Sequence, residues 1–94
     1  MMDGSNYPTL KLPENRVQQE MLKKKLAEWS RHLSYQRAPE ERTPFEYKIQ
    51  IANAILRDGE ADCNKIAAEM RRVYGHCWPH MFKVACMDVK KIIG

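Results

Sequence analysis

Long apolar runs are missing from this 94-residue chain. No hydrophobic stretch approaches the roughly 20 residues that a membrane-crossing helix needs. A charged-then-apolar leader is missing too: Asp3, Pro8 and Pro13 interrupt the first residues, so no secretory signal is expected there. Cysteine is scarce and odd in number. Cys63, Cys77 and Cys86 cannot form a complete disulfide framework among themselves. These lacks predict an intracellular protein, in cytoplasm or nucleus, with reduced thiols and no membrane contact. Glycine is also sparse, at four residues, and no two of them form a phosphate-cradling loop.

What is present is the composition of one small globular unit. Hydrophobic residues make up 44% and charged residues 30%, too apolar for a disordered chain. Sixteen Lys and Arg against twelve Asp and Glu leave a net charge of +4. That mild excess is compatible with an acidic or phosphate-bearing partner but does not require one.

Residues 1–13 hold Gly4, Pro8 and Pro13 and show no helical period, so they are expected to be a flexible or extended arm. Residues 14–94 are expected to form one helical domain. Its first helix spans about 16–35, with Asn15 as cap and Gln18 three residues on, as in a capping box. Leu22, Leu26, Trp29 and Leu33 form its apolar stripe, and Lys23, Lys24 and Lys25 face mostly outward. Thr43-Pro44-Phe45-Glu46 reads as a second helix start, with Gly59 ending a helix over about 44–57. That helix is apolar on two sides, Phe45, Ile49, Ala52 and Leu56 on one and Tyr47, Ile51, Ala54 and Ile55 on the other. It therefore lies at the centre of the fold or meets a partner.

The third helix, about 63–74, starts at Asp62 and stops at Gly75. Cys63, Ile66, Ala67, Met70, Val73 and Tyr74 share one face of it. The fourth, about 79–93, starts at Pro79. Trp78, Met81, Phe82, Ala85, Val89, Ile92 and Ile93 fall on its apolar side. Val84 and Met87 fall among His80, Lys83, Lys90 and Lys91, where burial is not expected. The fold class that follows is all-α, a compact bundle of about four helices with an N-terminal arm. The hairpin of the last two helices is its expected nucleus.

Residues able to carry chemistry are few. Cys63, His76 and His80 have the spacing of the back half of a zinc finger, but the front pair is missing. A helix over 63–74 would also hold Cys63 about 18 Å from the Gly75 turn, too far to share a tetrahedral metal. Cys77 lies beside His76 near a helix start, the best candidate for an activated thiol, yet turn neighbours seldom point at each other. No catalytic, metal or cofactor site is expected, and the chain is read as a non-enzyme. The run Lys65–Trp78 (KIAAEMRRVYGHCW) has a superficial likeness to a helix of the dynein light chains. Its helix is a turn too short and no strand-forming residues follow Trp78, so that family is not assigned.

Two binding readings remain. The first is a non-catalytic protein–protein interaction module, an adaptor or small subunit of a larger complex. It would dock through Trp29, Tyr47, Val84 and Met87, with Lys83 and Lys90 as a basic rim toward an acidic partner. Self-association through a helix face belongs to the same reading. The second is a helix-turn-helix-like nucleic-acid-binding protein using Arg71, Arg72, Lys83, Lys90 and Lys91. That face holds lysines for phosphate but none of the Arg, Asn or Gln that read base edges on the last helix, so little sequence selectivity is expected.

Overall fold

The computed structural model describes residues 7–35 and 38–94, with the side chains of residues 39–41 left aside. Four helices form, α1 over Arg16–Ser34, α2 over Pro39–Asp58, α3 over Cys63–Tyr74 and α4 over Pro79–Ile93. Two short strands accompany them, β1 over Thr9–Lys11 and β2 over Glu60–Asp62. The all-α bundle expected from periodicity is what is found. The ribbon adds to it.

Local chemistry sets the helix ends. Asn15 Oδ1 accepts from Val17 N–H at 2.8 Å and opens α1. Gln18 does not close a reciprocal box; its amide lies against Gly94 at the far end of the chain. Asp62 Oδ1 accepts from Lys65 N–H at 3.3 Å and opens α3. Gly59 and Gly75 take φ of 83° and 88°, and each donates its N–H back to the helix it ends. Only glycine adopts that left-handed conformation without strain.

One boundary departs from expectation. Helix α2 begins at Pro39, which stands at its first turn, after Ala38. Thr43 and Pro44 lie inside the helix, so the Thr-Pro-x-Glu signal is not a cap. Proline fits the first turn at either position, and the sequence offers both. The longer start lets Arg42 reach back, donating to the Leu33 carbonyl at 3.1 Å and pairing with Glu46 at 3.6 Å.

The core gathers around α2, which packs on α1, α4, β2 and α3. Tyr47, Ile51, Ala52, Ala54 and Ile55 are buried, while Phe45, Ile49 and Leu56 are half-buried against them. Its two apolar sides are thus covered within the chain. Leu22 and Trp29 of α1 and Phe82, Ala85, Cys86 and Val89 of α4 complete the centre. Lys48 ties the three together: it pairs with Asp88 at 3.3 Å and lies 5.6 Å from the Trp29 ring centre. The expected nucleus of α3 and α4 is not the main packing. Helix α3 lies on α2 and the ribbon, because its apolar face ends in the small residues Cys63 and Ala67.

The arm is held by its own chain over the described residues. Strand β1 pairs antiparallel with β2, Leu10 opposite Ala61, and Leu12 N–H donates to the Gly59 carbonyl at 2.9 Å. Leu10 and Tyr7 are buried. Asn64 clamps Tyr7 at two points, accepting from its N–H at 2.8 Å and donating to its carbonyl at 3.2 Å. Residues 1–6 of the expected arm lie outside the described residues.

Candidate functional site

Helix α4 turns Phe82, Ala85, Cys86 and Val89 inward, and this phase leaves the opposite stripe outside. Val84 is 41% and Met87 51% exposed on that stripe. Lys83, Lys90 and Lys91 surround them, all exposed, and none has an ion-pair partner among the described residues. The one carboxylate of α4, Asp88, is turned aside to Lys48. The result is a small apolar pair within an uncompensated basic rim.

Trp29 and Tyr47, expected as exposed contacts, are core residues instead. Trp29 is 7% exposed and Tyr47 3%. The two-sided apolarity of α2 is matched by helices on both of its sides, so both rings are largely covered within the chain. Arg71 and Arg72 are exposed at the end of α3, and Arg72 is bonded to Glu69 one turn back.

A second surface was not legible as a site. Trp78 is 54% and Tyr74 52% exposed, and Val73 stands out beside them. All three were expected on core faces. Val73 and Tyr74 belong to the last turn of α3, and Trp78 precedes α4 in a turn. A groove of about 600 Å³ forms there, lined by Tyr47, Tyr74, His76, Trp78 and Met81 with the start of α2. The His76 ring meets Trp78 edge-on at 5.0 Å.

Two distant tyrosines fix the turn that carries Trp78. The Trp78 N–H donates to the Tyr47 hydroxyl at 3.1 Å, and the Tyr7 hydroxyl donates to the Pro79 carbonyl at 3.4 Å. Both rings pack edge-on against Phe82, at 5.2 and 4.9 Å. Burial pushes the Tyr47 hydroxyl up to about 12.

The thiols are buried and unbridged. Burial raises Cys77, the opposite of what activates a nucleophile. His76 turns its ring to Trp78. Cys63 and Cys86 are buried in the core, and the influence of the Cys63 thiol together with burial raises Cys86. Among the described residues no three His, Cys, Asp or Glu side chains gather to hold a metal, and no helix is long and apolar enough to cross a membrane.

These features define an all-α protein of four helices with a small antiparallel ribbon at one side. No protein-family model matches the chain, and no curated protein or solved structure matches it.

Proposed function

We propose that this chain is a non-catalytic protein-docking module, an adaptor or small subunit that engages an acidic partner through the outer face of α4. One observation carries the reading: Val84 and Met87 are exposed at the centre of a rim of unpaired lysines. Apolar side chains there gain by leaving water, at about 25 cal/mol per Å². Lysines around them steer a negative surface and set its register. Methionine adds adaptability, since its unbranched side chain reshapes to the contact.

The test is a double substitution, Val84→Ser with Met87→Ser, probed with an acidic amphipathic helical peptide. The melting temperature should stay nearly unchanged, because exposed positions contribute within about 0.5 kcal/mol. Peptide capture should vanish. A large fall in stability would place these residues in the packing, and retained capture would move the docking surface elsewhere.

A second reading is nucleic-acid binding through the same lysines with Arg71. It is favoured by Lys83, Lys90 and Lys91 having no ion-pair partner among the described residues. Against it stands the apolar pair at the middle of the face, which offers phosphate nothing.

A further inference from the structure

We propose that the groove beside Trp78 is a second binding site, and that it takes a proline-rich segment in the extended polyproline conformation. Its charges cancel. Arg42 and Glu46, on the α2 wall, are paired with each other at 3.6 Å, and Arg42 is held by the Leu33 carbonyl as well. Among the described residues of this lining an acidic segment finds no unpaired Lys or Arg, and a basic one finds a carboxylate already engaged. The groove therefore complements an uncharged occupant, unlike the face of α4.

The polar atoms left over point to the same class. The Trp78 indole N–H and the Tyr74 hydroxyl have no hydrogen-bond partner among the described residues, and the indole can only donate. A polyproline backbone offers carbonyl oxygens and no N–H, so it supplies what these donors lack. Its flat rings stack on aromatic side chains, and it is already extended, so little entropy is lost on docking. The groove is prepared in turn: the hydroxyls of Tyr47 and Tyr7 hold the Trp78–Pro79 backbone before any ligand arrives.

The experiment titrates the full chain with a polyproline peptide of about ten residues, roughly 31 Å long at 3.1 Å per residue. It follows the two indole N–H resonances by NMR. The Trp78 signal should shift and saturate while the buried Trp29 signal stays still. Trp78→Ala should weaken binding by about tenfold or more, as for an aromatic anchor, and Trp78→Phe should retain part of it. Because Trp78 is half-exposed, its removal should leave the fold intact, which the unchanged Trp29 signal reports. A Trp78 signal that does not move at millimolar peptide overturns the proposal. So does an equal response to a proline-free peptide of the same length, or a shift pattern confined to α4. Capture of an acidic helix by α4 does not depend on Trp78, so the two sites fail or stand separately.

Discussion

Replacing Tyr47 with phenylalanine removes one oxygen and little else. The ring keeps its edge-on contact with Phe82, and the apolar area it buries is unchanged. What disappears is the acceptor for the Trp78 N–H. A backbone donor left without a partner in a partly buried turn costs on the order of 1 kcal/mol. For a domain of this size that is a fall in melting temperature of about 4–8 °C near neutral pH.

The same substitution has the opposite effect in alkali. The hydroxyl of Tyr47 is raised by burial to about 12 from an ordinary value of 10. Between those limits the unfolded chain has lost this proton and the native chain still holds it. Unfolding then releases a proton, so stability falls with rising pH, by up to about 1.4 kcal/mol per pH unit. Tyr47→Phe lacks that loss. The tyrosine protein should be the more stable one up to about pH 10, and the two stability curves should cross before about pH 12. Other titrations common to both proteins cancel in the difference, and a Cys77→Ala background removes the neighbouring thiol. Urea melts at closely spaced pH values measure the difference directly. Ultraviolet absorbance of tyrosinate should show a late-titrating component that Tyr47→Phe removes. A constant offset at every pH would refute the reasoning, because it would mean that Tyr47 ionises as freely in the fold as out of it.

Leu10→Ala tests the cis-docked arm: a fully buried leucine in a well-packed site costs about 2–5 kcal/mol when truncated, and chemical denaturation should show it. A loss under about 0.5 kcal/mol would mean that the ribbon does not hold the arm in solution. Lys83→Glu with Lys90→Glu should abolish capture of the acidic peptide at unchanged melting temperature. Measured against duplex DNA over a salt series, the same pair would also flatten any salt slope if the second reading held.

The helices were legible because each carries an apolar period and a stop that obeys local chemistry. Helix α4 starts at Pro79 and α3 ends at Gly75 for reasons that involve only neighbouring residues. The ribbon was not legible. Glu60-Ala61-Asp62 has neither β-branched nor aromatic residues, and it becomes a strand only because Leu10 and Tyr7 arrive from about fifty residues away to bury beside it. The start of α2 was ambiguous for a different reason. Pro39 and Pro44 both suit a first turn, and the longer helix carries an Arg42 contact to the Leu33 carbonyl on another helix that local signals do not show.

The sites divide along the same line. A helical wheel places Val84 and Met87 outside because α4 is covered along one whole side, so phase alone decides exposure. It cannot place Trp29, Tyr47, Tyr74 or Trp78, whose exposure depends on where neighbouring elements stop. Tyr47 looked surplus on a helix with two apolar sides, yet α1 and α4 flank α2, and Tyr47 became the floor beneath the turn. Tyr74 shares the stripe of Met70 by sequence, but it is the last residue of α3 and is half-exposed. Trp78 precedes the helix whose apolar side it was assigned to, and the hydrogen bond from its N–H to Tyr47 sets its backbone where the ring stays half in water. The bulky aromatic positions were thus the ones for which period carried least information. For such residues the terminus of the supporting element, and not the phase of their own helix, decides between core and binding surface.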